Sequence, residues 1–243
     1  MVGELGGLEL HPSLALAEDI TCPTEMVFDL DPGPPADIVL CCQVGLWLRE
    51  IFEHLRLESF PKTSGSKGLQ IYVPLNTPTN YEKTKLFSHA LAQLLEHDHP
   101  TQVVSEMKKQ VRTGKVFVDW SQNDEHKTTV AVYSLRAKER PTVSTPVTWD
   151  EVEHCLKKKD PKLLVFEASQ AIARVDKMGD LFAPVISLKQ RLPDLTKAAP
   201  VSVPAKIEIA AQADDNHQKP KRKPRTASKT RTRSGATRAK RRG

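Results

Sequence analysis

Three aspartates are the residues best placed to do chemistry. Asp29 and Asp31 lie one residue apart in Phe28-Asp29-Leu30-Asp31-Pro32, and Asp119 ends a second apolar run, Val116-Phe117-Val118-Asp119. Both runs read as short buried strands. Residues two apart on a strand share a face, so Asp29 and Asp31 project together. Carboxylates held that close repel one another unless a cation lies between them. Three of them converging from neighbouring strands would make an oxygen-rich site for Mg²⁺ or Mn²⁺. The competing reading is plain strand-end turn chemistry, because Asp-Pro-Gly-Pro-Pro is a turn by itself.

A second element changes the balance. In Thr63-Ser64-Gly65-Ser66-Lys67-Gly68, two glycines and two serines let backbone N–H groups turn towards an anion, and Lys67 adds a point charge. Such a loop suits a triphosphate whose metal ions sit on the aspartates. It is not a Walker A loop, since the spacing differs and a strand follows it rather than a helix. An exposed turn without a ligand is the alternative for this loop taken alone.

The elements that must position these groups follow from periodicity. A helix is expected over about 36–57, with Ile38, Cys42, Gly45, Leu48, Phe52 and Leu55 forming one apolar stripe. Leu69 to Val73 reads as a strand, and about 80–96 as a second helix burying Leu86, Phe87, Ala90, Leu91, Leu94 and Leu95. A shorter, more charged helix is expected over about 101–111, and a strand over 128–135. Two further helices, 149–158 and 163–175, are separated by Pro161. Strands and helices alternate without a Rossmann rhythm, which predicts an α+β fold: a mixed or antiparallel sheet flanked by helices. Residues 1–197 make one domain on this reading, and 198–243, rich in Pro, Ala and Lys, a disordered basic tail.

Charge is divided unevenly along the chain. Of 36 Lys and Arg, 12 lie in 219–243 with no acid among them. The preceding chain therefore holds 24 basic against 30 acidic side chains and is net −6. Lys219, Lys221, Arg222, Lys223 and Arg225 head this tail, whose charge suits non-specific phosphate contact. Four cysteines without Cys-x-x-Cys spacing argue against a zinc ribbon or a disulfide framework and point to a reducing compartment. No leader-like or membrane-length apolar run is legible, so a cytoplasmic, nucleoid-associated protein is expected.

The motifs carry a resemblance. FDLDPGPP (28–35), FPKTSGSKGLQIYVPL (60–75) and VFVDWSQNDEHKTTVAVYSLR (116–136) resemble the polymerase domain of bacterial ligase D, of the archaeo-eukaryotic primase superfamily. The likeness runs from Leu8 to Leu181. It implies a metal-dependent nucleotidyltransferase that adds nucleotides, ribonucleotides by preference, to DNA ends in non-homologous end joining, with Ku and a DNA ligase as partners and no membrane. Asp29, Asp31 and Asp119 would hold two Mg²⁺ or Mn²⁺ ions. Ser64 and Lys67 match positions that meet the incoming nucleoside triphosphate. Arg112, Gln122 and Arg136 match further polar positions of the nucleotide pocket, and His11 a histidine set against the nucleotide.

The chain also departs from the family's pattern. Gln70 stands where the family has a histidine, and a glutamine can hydrogen-bond to phosphate but not carry charge. By the order of its motifs the chain enters the domain late. It is then expected to lack a covering layer and to expose apolar surface or need a partner. No ligase-like or nuclease-like stretch is legible. The second reading is accordingly a shortened, weakly active or inactive DNA-binding accessory of end joining. Among other candidates, His97-Asp98-His99 reads as an exposed helix end, Cys41-Cys42 as core packing, and Trp120, beside Asp119, as core or a base-stacking platform.

Overall fold

The computed structural model describes residues 8–193. In chain order its elements are β1 (Glu25–Pro32), α1 (Ile38–His54), β2 (Phe60–Thr63), β3 (Leu69–Pro74), α2 (Tyr81–Asp98), β4 (Val103–Val104) and β5 (Val116–Asp119). They continue with β6 (Leu135–Arg136), β7 (Thr142–Val143), α3 (Trp149–Lys158), α4 (Ala168–Met178) and α5 (Ala183–Ser187). Five strands form one mixed sheet in the order β2-β3-β1-β5-β4, antiparallel except where β4 joins β5 in parallel, and β6 and β7 pair separately. The expected α+β class is what the chain adopts.

The central strand β1 alternates. Met26, Phe28 and Leu30 point to one face and are fully buried there with Leu69, Ile71 and Val73 of β3 and with α1. Phe28 meets Phe52 of α1 at 5.3 Å between ring centroids. The sequence stripe of α1 is buried, but so are Cys41, Val44, Leu46 and Trp47, because the helix is covered on more than one side. α3 packs along it, Cys41 Sγ donates to the Leu30 carbonyl of β1 at 3.4 Å, and Trp47 stacks on His99 at the end of α2. Asp37 caps α1 by accepting from the N–H of Val39, as a helix start requires. α3 carries a full capping box between Thr148 and Glu151.

The opposite face carries Val27, Asp29 and Asp31. Part of it is closed by a second apolar cluster in which Leu14, Tyr72, Tyr81, Phe182 and Val185 pack on Val27. The rest stays open, and the polar residues line it. Where β5 ends, Asn123 continues its pairing with a side chain: the N–H of Val27 donates to Asn123 Oδ1 at 2.9 Å, and Asn123 Nδ2 donates to the Val27 carbonyl at 2.7 Å.

Three expected elements differ. The helix expected over 101–111 is the short β4 followed by a single 3₁₀ turn at Lys109–Arg112; Val103 and Val104 are buried by adding an edge to β5. The strand expected over 128–135 is irregular until Leu135, since Tyr133 takes a left-handed φ of 61°, which breaks an extended run. The last expected helix begins later, at Ala168, after a 3₁₀ turn at Pro161–Leu164. Large exposed apolar side chains among the described residues include Ile172, Val175 and Met178 on α4 and Ile186 on α5, and Leu86, expected on the buried side of α2, is exposed as well. The boundary at 197 and the basic tail, with Lys219, Lys221, Arg222, Lys223 and Arg225, lie outside the described residues.

Candidate active site

A cleft of about 320 Å³ opens on the polar face of the sheet, lined by His11, Asp29, Asp31, Ser64, Lys67, Gln70, Gln122, Thr129 and Arg136 among others. Eight of the sequence-derived candidates thus share one cavity. Strand register builds its floor. Lys62 pairs with Gln70 across β2 and β3, Gln70 with Asp29 across β3 and β1, and Asp29 with Asp119 across β1 and β5. Since cross-strand partners sit on one face within about 5 Å, four polar side chains form a continuous row.

The acidic end of that row is electrostatically strained. Burial first, and then the charge of Asp119 opposite, push the Asp29 carboxyl up to about 6. Asp119 is tied down by its own neighbours: the Ser121 N–H and hydroxyl donate to Oδ1 at 3.0 and 2.6 Å, and Gln122 Nε2 donates to Oδ2 at 2.9 Å. Asp31 is more exposed, and its Oδ2 lies 3.5 Å from Arg112 Nη1. Arg112 in turn stacks 3.7 Å above the Phe117 ring and donates to the Met107 carbonyl at 2.6 Å. It therefore flanks Asp31 and, like Asp119, is not among the residues that line the cleft. Among the described residues no three His, Cys, Asp or Glu side chains stand together as a metal cage, so the three carboxylates do not converge as they stand. The donor chemistry of Asp29 and Asp119 nonetheless fits a hard divalent cation, the kind of group that offsets both the desolvation and the mutual repulsion of facing carboxylates.

The opposite wall is basic. Gly65 takes φ +65°, and a Cβ on Gly68 would stand 2.1 Å from the Leu30 carbonyl oxygen, so the loop can lie against β1 only with glycine there. Ser64 holds the loop: its Oγ accepts from the N–H groups of Ser66 and Gly68 at 3.2 and 3.1 Å. Two N–H groups expected to face an anion are thus used internally. Lys67 is exposed at the cleft. Arg136 clamps the loop from above, donating to the Ser64 carbonyl at 2.7 Å, with Nε 3.3 Å from Glu9 Oε2. Glu9 also accepts from His11 at 3.2 Å and from the Ala137 N–H at 2.6 Å. The Ala137 bond first, then His11, and Arg136 after them hold Glu9 down at about 2. His11 reaches the cleft mouth because the segment before it is tied to a distant one: the Ala131 N–H donates to the Leu10 carbonyl at 2.8 Å, and the Thr129 N–H to the Pro12 carbonyl at 3.1 Å.

Lys62 is the residue that sequence reasoning passed over. It is fully buried beneath the cleft, and burial lowers its ammonium to about 7, opposed by the charge of Asp29. A lysine inside the strand-like run Phe60-Pro61-Lys62-Thr63 was the available signal. Trp120, by contrast, is not a free stacking platform. Its ring lies 3.9 Å from that of His89 and its Nε1 donates to the Ser105 carbonyl at 3.0 Å. His99 is stacked 3.5 Å from Trp47, away from any metal cluster.

A family model described as LigD, primase-polymerase domain, matches residues 1–182. The chain belongs to that family. It is 41% identical over 186 residues to the multifunctional non-homologous end joining protein LigD of Mycolicibacterium smegmatis, covering 76% of this chain and 24% of the relative. The bifunctional LigD of Bacillus subtilis is 34% identical over 158 residues, covering 65% of this chain and 25% of the relative. The chain thus spans about a quarter of the length of these curated relatives. Among solved structures it is similar to the polymerase domain from Mycobacterium tuberculosis ligase D in complex with DNA. There the TM-score is 0.70 and the identity 36%, over 78% of this chain and 67% of that one.

Proposed function

We propose that the chain is a metal-dependent nucleotidyltransferase that adds nucleotides, with a preference for ribonucleotides, to DNA ends during non-homologous end joining. The observation that carries this is the two-walled cleft, with Asp29 and Asp31 on one side and the Ser64–Lys67 loop under Arg136 on the other. Asp29 and Asp119, with Asp31, would hold two Mg²⁺ or Mn²⁺ ions, which activate a primer 3′-hydroxyl and neutralise a triphosphate when bound. Lys67 and Arg136 would bind the triphosphate by charge, His11 would close the cleft mouth, and Gln122 keeps Asp119 in place. DNA ends and nucleoside triphosphates are then the substrates, and Ku and a DNA ligase the partners. The names of the LigD relatives and the DNA in the similar solved structure support this reading.

A second reading, a DNA-holding accessory with little activity, is favoured by the contact of Asp31 with Arg112, which already supplies that carboxylate with a positive partner. Primer extension with Mn²⁺ separates the two. The native chain is expected to extend a primer, and Asp29→Ala with Asp31→Ala to abolish extension. Extension surviving the double change would sink the catalytic reading, and DNA binding without extension by either protein would establish the second.

A further inference from the structure

We infer that Lys62 is a positioning residue for the cleft: its buried ammonium fixes the Gln70 carboxamide so that the NH₂ end faces Asp29. This rests on the proposed reading of Asp29 as a metal-holding carboxylate. Lys62 has no accessible surface, and among the described residues no carboxylate forms a salt bridge with it. Its three protons go to neutral acceptors: Gln70 Oε1 at 2.5 Å, Ser144 Oγ at 2.7 Å and the Val130 carbonyl at 3.0 Å. An ammonium buried without a paired anion is costly, so an arrangement with no anion in the first shell calls for a use.

The use follows from bond polarity. While it is protonated Lys62 can only donate, so the amide oxygen of Gln70 turns towards it. The amide nitrogen is thereby turned the other way, where it donates to Thr129 Oγ1 at 3.1 Å, and the cross-strand neighbour of Gln70 is Asp29. The strand register sets Gln70 directly between Lys62 and Asp29. The orientation of the Gln70 amide beside Asp29 is therefore set from the buried end. Without Lys62 the carboxamide has no reason to prefer this orientation, and the flipped amide would set an oxygen against the carboxylate. With it, one side of Asp29 is engaged and the remaining lone pairs are left to face the cleft.

The same logic ranks substitutions. A neutral histidine at position 70 reproduces the pattern, with one ring nitrogen accepting from Lys62 and the other donating to Asp29. A glutamate keeps Lys62 satisfied as an ion pair but presents only lone pairs to Asp29.

The test uses the full chain and two readouts, Mn²⁺ affinity by the paramagnetic resonance of free Mn²⁺, and single-nucleotide primer extension. Gln70→His is expected to bind Mn²⁺ within about threefold of the native chain. Lys62→Met is expected to bind it about tenfold more weakly, as for loss of an outer-sphere partner. Removing a positive charge would by charge alone tighten cation binding, so the sign discriminates. Gln70→Glu, stable through its ion pair, is expected to lose about tenfold or more in kcat with a nearly unchanged nucleotide KM. Unchanged or tighter Mn²⁺ binding by folded Lys62→Met, tenfold weaker binding by Gln70→His, or native kcat in Gln70→Glu would each overturn the inference. Should Lys62→Met fail to fold, the two Gln70 variants decide. A native chain that follows this Mn²⁺ pattern but extends no primer would overturn the proposed function and leave the role of Lys62 standing.

Discussion

On the acidic wall of the cleft, Asp29 and Asp119 owe their places to strand register, whereas on the basic wall Ser64, Lys67 and Arg136 are brought together by bonds between segments far apart in the chain. The first wall needs almost nothing from its own side chains to be built, because β1 is central and its even-numbered residues are locked in the core. The second needs two glycines, the Ser64 hydroxyl, Arg136 and Glu9. Function and stability are thus opposed on the acidic wall and aligned on the basic one.

Substitution on the acidic wall should break the comparison most sharply. Asp29→Asn is expected to lower primer extension about a thousandfold, equivalent to roughly 4 kcal/mol of transition-state stabilisation. It should also raise the unfolding free energy by about 1 kcal/mol, since it removes a half-buried charge that Asp119 repels. Urea unfolding beside the activity assay checks both signs, and a loss of stability would mean that the carboxylate has a structural partner instead.

On the basic wall, Gly68→Ala must displace either the loop or the Leu30 carbonyl. It is expected to cost about 2–3 kcal/mol of stability together with nucleotide affinity. Arg136→Met should act in the same direction but more weakly, raising the nucleotide KM about tenfold through loss of a charge-assisted contact. Mn²⁺ affinity should stay at the native value, because Arg136 faces the loop and not the aspartates. Nucleotide titration and Mn²⁺ titration of the same sample separate the walls.

The smallest effect concerns pH. Glu25, beside Thr24, is raised by burial from 4.5 to about 7. The folded state holds this proton more tightly than the unfolded chain. Its contribution is fully present below pH 4.5 and is lost as pH rises towards 7. Glu25→Gln should therefore leave stability unchanged at pH 4 and raise it at pH 8 by about 1–2 kcal/mol. An equal shift at both values would show that ionisation is not the cause.

What the residues disclosed in advance follows the same division. Asp29, Asp31 and Asp119 could be found because period-two alternation and apolar flanks mark a strand whatever lies beside it. α1 likewise announced itself through its apolar stripe. The segment 101–111 did not, since Val103 and Val104 are its only buried apolar residues, and two apolar residues in a charged stretch carry no period. Thr128 to Leu135 alternates like a strand, yet Tyr133 turns left-handed and the backbone bonds the N-terminal segment instead. Lys62 was passed over because a lysine, even inside a short strand-like run, reads as exposed. Its burial depends on Ser144 and Val130, which no local pattern connects to it.

The amide of Asn123 that pairs with both backbone groups of Val27 has a consequence for association. β5 leaves the sheet at Asp119 so that the cleft can open, and without a substitute that departure would leave a bare stretch of central strand. Unpaired strand backbone is a template for another chain. One side chain standing in for a missing residue of β5 lets the sheet open a working surface at its centre without offering it to a neighbour as an edge.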